Sequence, residues 1–236
     1  WKPMGLYNSM IAPLNSFTKK GILWYQGESN TGKPEEYTAL LSTMITDWRS
    51  KFNQNKLPFI FAQLPNFMEA KAEPVESNWA LFRQAQVKVL AVKNTAMSVN
   101  IDLGEWNDIH PLNKKEVGLR LAKIARKLAY GEKIIATAPF VKSAKTIGNK
   151  IVITFNRNGK CISTFDGKAP QEFAVAGSDG KFVWATAEIS GNQIIIYNST
   201  VTKPVKIRYA WADNPENANL TDTDGNFVSP FQIEVK

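Results

Sequence analysis

The sequence is poor in cysteine and histidine, with one of each among its 236 residues. A lone cysteine, Cys161, excludes an internal disulfide, and one cysteine with one histidine cannot build a zinc site on thiolates or imidazoles. No apolar run approaches the roughly 18 residues that a membrane-spanning helix requires. The sequence therefore excludes a disulfide-stabilised scaffold, a zinc site of this kind and a membrane span.

Clusters of positive charge are also missing, although the formal net charge is +8. The basic pairs Lys19-Lys20, Lys114-Lys115 and Arg126-Lys127 are separated and interleaved with acidic residues. Such dispersed charge is typical of a solvated surface, so we predict no nucleic-acid partner. A hydrophobic content of 44% with 21% charged residues indicates a globular protein with a sizeable core.

The first 138 residues alternate apolar runs with amphipathic helical patterns, which is typical of an α/β domain. The predicted strands are residues 21–25, 57–64 and 95–103, and a helical pattern follows each of them. Pro34 is suited to the first turn of a helix, and Asn113 with Glu116 forms a capping-box pattern. Three strand-loop-helix units predict part of a parallel sheet with right-handed crossovers.

Residues 139–236 follow a different pattern, in which short β-branched runs alternate with Gly, Asn and Asp turns. The clearest strand candidates are residues 150–155, 171–175, 193–197 and 205–209. Closely spaced strands without helices between them predict a small all-β domain, either a sandwich or a jelly-roll-like fold. We therefore predict two domains, 1–138 and 139–236, which pack together.

The ligands of an open parallel sheet bind beyond the carboxyl ends of its strands. Three predicted loops lie there, residues 26–33, 65–78 and 102–113, and the third contains His110, the only histidine. Asp108, two residues earlier, can orient the imidazole ring and stabilise its charged form. The alternative interpretation is that His110 is a surface or helix-capping residue.

The first of these loops begins with Gln-Gly-Glu-Ser-Asn, residues 26–30. A second polar cluster at an equivalent strand end is consistent with a second wall of the same site. The alternative is a turn that leads into a helix and is rich in hydrogen-bonding side chains.

Ordered segments along the whole chain carry a family resemblance. They are LYNSMIAPL (6–14), GILWYQGESN (21–30), DWR (47–49), DIHPLNKKEVGLRLA (108–122) and RYAWADNPENANL (208–220). Together they resemble the sialate O-acetylesterase family of the SGNH hydrolases. The resemblance implies the later part of an SGNH-type α/β/α domain followed by a β domain. It also implies a serine esterase that removes acetyl groups from sugar hydroxyls, without a metal or an organic cofactor.

The resemblance assigns the general base to His110, which would accept the serine proton and later activate water. The usual acidic partner of the superfamily lies three residues before the histidine, but Asn107 occupies that position here. Either Asp108 is the third catalytic member, or a backbone carbonyl orients His110.

The resemblance also assigns the QGESN block to the part of the site that stabilises the oxyanion. Gln26 is the preferred donor, because an ionised Glu28 cannot donate a hydrogen bond. Glu28 is expected to orient neighbours or to bind a sugar hydroxyl, and Asn30 to brace the loop or line the substrate pocket. Asn8 is expected to line the same cleft, unless it is an ordinary turn or capping residue.

The nucleophile of the family belongs to a Gly-Gln-Ser-Asn-like block after the first strand of the domain, and no such block precedes residue 26. The resemblance therefore implies that the nucleophilic serine lies in an upstream part of the same protein. Ser29 is the alternative nucleophile, because residues 27–30 have the form Gly-x-Ser-Asn. Only 81 positions separate Ser29 from His110, which leaves little room for the strands that normally lie between nucleophile and base.

The sequence and the resemblance together predict a carbohydrate O-acetylesterase whose substrate is an O-acetylated sugar such as sialic acid. This chain alone is expected to be inactive. A different hypothesis is a non-catalytic carbohydrate-binding or structural fragment. The resemblance also implies a periplasmic or extracellular location, although the chain itself carries no export signal.

Overall fold

The computed structural model describes residues 4–148, 150–156 and 159–236. Its first part is a three-stranded parallel sheet with helices on both faces, and its second part consists of antiparallel strands. The predicted fold class, α/β followed by all-β, is therefore confirmed. Within the described ranges, no helix is both long and apolar enough to cross a membrane.

The described residues of the α/β part form three strands and three α-helices in alternation. They are β1 (Ile22–Trp24), α1 (Pro34–Lys51), β2 (Phe59–Ala62), α2 (Asn78–Val89), β3 (Thr95–Ser98) and α3 (Lys114–Leu128). Pro34 occupies the first turn of α1, where its missing N–H leaves no helical bond unmade. The side chain of Asn113 accepts a hydrogen bond from the Glu116 N–H at 3.3 Å, which confirms the predicted start of α3.

The strands are shorter than the apolar runs that predicted them, most clearly at β3. The chain turns after Ser98, and the Leu103 N–H donates to the Asn100 carbonyl at 3.1 Å. The Asn100 amide donates to the carbonyl of Gln63 at 3.0 Å, beside the end of β2. Apolar residues thus continue beyond the strand because they pack in a buried loop rather than in the sheet.

β2 is the central strand and separates two hydrophobic layers. Phe59 and Phe61 pack with α1 and α2, whereas Ile60 and Ala62 pack with α3. Side chains alternate between the faces of a strand, so one continuous apolar run supplies both layers.

β1 lies at one edge of the sheet and has an uncovered face. Leu23 is paired in register with Ile60, so both side chains point to the α3 side of the sheet. Ile60 is 1% exposed under α3, but Leu23 is 58% exposed. α3 therefore covers β2 and leaves β1 open on this side.

The all-β part contains ten strands in three sheets among the described residues. They are β4 (Val141–Ile147), β5 (Lys150–Phe155), β6 (Ile162–Thr164), β7 (Phe173–Ala176), β8 (Phe182–Trp184), β9 (Thr186–Ser190), β10 (Gln193–Tyr197), β11 (Lys206–Tyr209), β12 (Leu220–Asp222) and β13 (Phe231–Glu234). The sheet orders are β4-β5-β10-β9, β13-β11-β7-β8 and β12-β6. Buried side chains of the two four-stranded sheets belong to one hydrophobic cluster.

A single cluster of buried side chains extends from the α/β part into the β part. It includes Ile45 of α1, Phe82 of α2 and Phe231 of β13. The two parts are thus packed together along an apolar surface, which the hydrophobic effect stabilises. The domain boundary at residues 138/139, between α3 and β4, stays a prediction.

Candidate active site

The three loops that follow β1, β2 and β3 lie at one edge of the parallel sheet. The strands run in the same direction, so their carboxyl ends, and the loops that follow them, share this edge. The loop after β1 contains Gln26, the loop after β2 contains Asn66, and the loop after β3 contains His110. The fold thus gathers three polar loops at the place where such sheets bind ligands.

The Gln26 side chain is held at both ends of its amide. Its Nε2 donates to Asn30 Oδ1 at 2.7 Å, and the Tyr37 hydroxyl lies 3.2 Å from its Oε1 and donates to its backbone carbonyl at 3.1 Å. An amide nitrogen carries two hydrogens, so among the described residues one N–H of Gln26 remains for another acceptor. Asn30 braces Gln26 within the loop.

Gly27 permits a close contact between this loop and α2. A Cβ added to Gly27 would lie 2.5 and 2.6 Å from two carbons of the Phe82 ring, which is buried. Any other residue would collide with a core side chain. Glu28 next to it is half-buried, whereas Ser29 is exposed.

The Glu28 carboxylate contributes to the raised pKa of two tyrosines, Tyr25 and Tyr37. Burial, and to a smaller extent the Glu28 carboxylate, raise the pKa of Tyr25 to about 12. Burial likewise raises the pKa of Tyr37 to about 12, with a smaller contribution from Glu28. The Tyr25 hydroxyl is buried and has no hydrogen-bond partner among the described residues. The Lys114 ammonium lies 4.9 Å from the centre of the Tyr25 ring and joins the start of α3 to the Gln26 loop.

His110 and Asp108 interact through the backbone of the histidine. Asp108 Oδ1 accepts the His110 N–H at 2.7 Å, whereas the distance from Oδ1 to the ring Nδ1 is 3.8 Å, too long for a hydrogen bond. The His110 side chain is 89% exposed. In this structure Asp108 therefore shapes the turn that carries His110, and the imidazole ring is accessible to solvent.

The loop after β2 connects the His110 loop to the β part, which the sequence did not predict. Asn66 Oδ1 accepts the Gly104 N–H at 2.6 Å, and Asn66 Nδ2 donates to Asn214 Oδ1 at 2.9 Å. The Met68 N–H donates to the Trp106 carbonyl at 2.9 Å. A Cβ on Gly104 would lie 1.7 Å from the Asn66 carbonyl oxygen, so only glycine fits there.

Arg83 of α2 binds the backbone at the start of the loop after β2. Its buried guanidinium donates to the carbonyls of Leu64, Pro65, Ala212 and Asp213 at distances of 2.7 to 3.0 Å. Burial lowers the pKa of Arg83 to about 9, which Asp213 partly opposes, so the group stays charged at neutral pH. One side chain thus satisfies four carbonyls of two segments that are distant in sequence.

The predicted site residues fall into three groups. Gln26 and Asn30 are joined by a hydrogen bond, and Glu28 lies in the same loop; His110 and Asp108 form the second group. Among the described residues, no hydrogen bond joins these two groups directly. Asn8 is exposed on the helical turn Tyr7–Ile11, and no hydrogen bond in the described ranges connects it to either loop.

Sequence reasoning missed Tyr25, Asn66 and Arg83. Asn66 lies in a loop that was a candidate, but its partners are 38 and 148 positions away along the chain. The described residues contain no cluster of three or more His, Cys, Asp or Glu side chains that could hold a metal ion.

The sequence model of a carbohydrate esterase family, the sialic acid-specific acetylesterases, matches residues 1–127. The chain belongs to this family. The matched region covers the whole parallel sheet and all three of its loops.

Curated relatives are named sialate O-acetylesterase. The protein of Mus musculus is 30% identical over 89% of this chain and 42% of its own length. The protein of Homo sapiens is 28% identical over 89% of this chain and 44% of its own length. The chain thus spans less than half the length of these relatives.

A solved structure, the crystal structure of a carbohydrate acetylesterase from Xanthomonas citri, has the same fold. Its TM-score is 0.91 at 42% sequence identity, and the match covers 97% of this chain and 53% of the other. The α/β part and the β part therefore occur together in a carbohydrate acetylesterase. That enzyme also contains about as much chain again outside the match.

Proposed function

We propose that this chain is part of a carbohydrate O-acetylesterase that hydrolyses acetyl esters on sugar hydroxyls, with an O-acetylated sugar such as sialic acid as its substrate. The observation that carries the proposal is the position of His110. It is the only histidine of a chain in an acetylesterase family, and it is exposed in a loop at the ligand-binding edge of the sheet.

The proposed reaction is acyl transfer to a serine followed by hydrolysis. The serine oxygen attacks the acetyl carbonyl while His110 accepts its proton, and a tetrahedral oxyanion forms. The free N–H of Gln26 donates to this oxyanion. As the ester bond breaks, His110 returns the proton to the sugar oxygen. His110 then accepts a proton from the water that attacks the acetyl-serine, and it gives this proton to the serine oxygen as the serine–acetyl bond breaks and acetate leaves. Either Asp108 or a backbone carbonyl orients His110 when the serine is present.

We propose further that the serine lies outside this chain, in an upstream part of the same protein. Two observations support this. Leu23 is 58% exposed on a parallel strand, whereas parallel sheets are normally covered on both faces. The Xanthomonas citri acetylesterase also has nearly half of its chain outside the match. Both are consistent with further catalytic-domain structure beside β1.

Substitution of His110 in the longer protein is the direct test. We expect His110→Ala to lower the rate of acetyl release from an O-acetylated sugar roughly 10³-fold, because the general base is lost. Gln26→Ala is expected to lower kcat roughly 10²-fold with a smaller change in KM. Lys133→Ala, on the exposed segment after α3, is the matched control. Full activity of His110→Ala would overturn the proposal.

The position of the nucleophile has its own test on this chain. A fluorophosphonate probe labels activated serines, so we expect no labelling of the chain by itself. Labelling at Ser29, identified by mass spectrometry of the peptides, would show that the nucleophile is present after all.

The proposed location is the periplasm or the extracellular space. It rests on the family resemblance alone. Fractionation of the source cells, with detection of the longer protein by an antibody to this chain, tests it, and recovery in the cytoplasm would contradict it.

A further inference from the structure

Trp184 is an exposed aromatic side chain that the fold holds in place. It ends β8, an edge strand paired with β7, and the residue is 39% exposed. Its indole Nε1 donates to the Ala72 carbonyl at 2.7 Å, and its backbone carbonyl accepts from Asn198 Nδ2 at 3.0 Å. A ring that is both restrained and exposed loses little conformational entropy when it binds a ligand.

A cavity of about 450 Å³ opens beside this ring. It is lined by the segment 70–72 and by Gln171, Glu172, Trp184, Glu216 and Asn217. The lining residues combine one aromatic side chain with several amide and carboxylate side chains. A pyranose ring has C–H groups that pack on an aromatic face and hydroxyls that need both donors and acceptors, so this combination fits a sugar.

Glu172 stands out within the cavity because its backbone is strained. Its φ angle is +62°, in the left-handed region that non-glycine residues rarely adopt. The Ala210 N–H donates to its carbonyl at 2.9 Å and holds this conformation. Burial raises the pKa of the Glu172 carboxyl, and hydrogen bonds from Asn217 oppose this rise. Strain of this kind is found at ligand clamps more often than elsewhere.

The charges of the cavity select between kinds of sugar. Glu172 and Glu216 contribute two carboxylates, and Lys71 contributes one ammonium. A negatively charged sugar would be repelled by this balance, whereas hydroxyls can donate to the carboxylates. The cavity therefore favours a neutral sugar.

The cavity is connected to the candidate active site by the loop after β2. The start of this loop binds the His110 loop through Asn66, and its middle, residues 70–72, lines the cavity. We propose that the cavity is a subsite for a neutral sugar residue of the carbohydrate ligand, with Trp184 stacking on the ring and Glu172 and Asn217 binding its hydroxyls. This inference rests on the proposed function, because it extends the substrate from one acetylated sugar to an oligosaccharide.

Binding of neutral disaccharides to this chain, followed by NMR, tests the subsite without any ester chemistry. The ¹⁵N-labelled chain is titrated with lactose, maltose and cellobiose, and with N-acetylneuraminic acid as the anionic comparison. The indole resonance of Trp184 is assigned by Trp184→Phe. We expect at least one neutral disaccharide to shift this resonance and the amide resonances of Gln171 and Asn217 in a saturable way.

Three variants complete the design. Trp184→Ala is expected to weaken binding about tenfold through the lost aromatic face, and Glu172→Ala several-fold through the lost acceptor. Trp184→Phe keeps the ring, so the disaccharide is expected to bind it better than the alanine variant. If Trp184→Ala fails to fold, Trp184→Phe is compared with the parent protein instead. Phe165→Ala, at another exposed aromatic of the β part, is the matched control and is expected to bind like the parent.

Several outcomes would overturn the subsite. One is the absence of any saturable shift with the neutral disaccharides, and another is equally tight binding of N-acetylneuraminic acid. Shifts confined to Thr186 and Tyr197 would also overturn it, because these residues line a different cavity that borders Trp184. Loss of esterase activity in His110→Ala tests the proposed function separately, so either proposal can fail while the other stands.

Discussion

Two glycines in the candidate site allow contacts that no other residue could make. Gly27 lies against the Phe82 ring, and Gly104 lies against the backbone of Asn66. Each contact joins a loop at the carboxyl edge of the sheet to a neighbouring segment. The absence of a Cβ atom at these two positions therefore determines how closely the loops approach the helix or one another.

Gly27→Ala is expected to destabilise the fold by about 2 kcal/mol, because the new methyl group overlaps a buried ring that cannot move freely. The matched control is Gly32→Ala in the same loop, where an added Cβ meets nothing within 4 Å. Urea denaturation of both variants measures the difference. Equal midpoints for the two variants would contradict the contact with Phe82.

Asn66→Ala is expected to lower stability by roughly 1 to 2 kcal/mol, because it removes the acceptor of the Gly104 N–H and the donor to Asn214 Oδ1. It should also speed hydrogen exchange at the Gly104 amide, measured by NMR. Asn198→Ala is the control, because Asn198 also makes several hydrogen bonds but within the β part. We expect it to destabilise the protein without changing exchange at Gly104. The same Gly104 exchange rate in both variants would contradict the coupling of the loops.

The helices cover the strands unequally. α1 and α2 fill one face of the parallel sheet, whereas α3 covers only part of the other face. β1, the edge strand, consequently has an apolar face that no helix of the described residues covers. This is the element at which further structure of a longer protein would pack most readily.

Leu23→Ala and Ile60→Ala compare paired positions on this face. We expect Ile60→Ala to lower the free energy of unfolding by about 3 kcal/mol, because it leaves a cavity under α3. Leu23→Ala is expected to change it by less than about 0.5 kcal/mol, because the side chain is already in solvent. Chemical denaturation of this chain measures both. A large loss from Leu23→Ala would mean that the face of β1 is covered in solution.

The molecule as a whole is held by one apolar core and by a few buried polar groups that cross it. Arg83 is the clearest of these groups, because it joins the loop after β2 to residues 212–213 of the β part. Buried tyrosines make the stability of the fold depend on pH. Their neutral form is favoured inside the protein, whereas in the unfolded chain they ionise near pH 10.

Stability is expected to fall at alkaline pH for this reason. The folded pKa of Tyr25 and of Tyr37 is about 12, above the ordinary value of 10.0. The stabilisation is complete below about pH 10 and is lost as the pH rises towards 12, by about 1 kcal/mol for Tyr37 at about pH 11. Urea midpoints at neutral and alkaline pH measure this loss. Tyr37→Phe should make it smaller, and the exposed Tyr130→Phe should leave it as in the parent protein. An unchanged slope in Tyr37→Phe would contradict the prediction.

The order of the elements and the loops at the sheet edge were predictable from the sequence because they depend on local patterns. The helix start at Pro34, the cap at Asn113 and the apolar runs of β1 to β3 each involve a few neighbouring residues. Hydrophobic periodicity and capping preferences act over this range. The candidate loops followed from the direction of parallel strands alone.

The contacts inside the candidate site were not predictable, because they join residues that are far apart in the chain. Asn66 meets Asn214 across 148 positions and Arg83 meets Ala212 across 129. The hydrogen bond from the His110 N–H to Asp108 also depended on the backbone conformation of the turn, since either the ring or the backbone could have been the donor. Local propensities determine which segments form and in what order. The packing of the α/β part on the β part determines which polar groups meet, because only in the folded chain do buried donors and acceptors find partners.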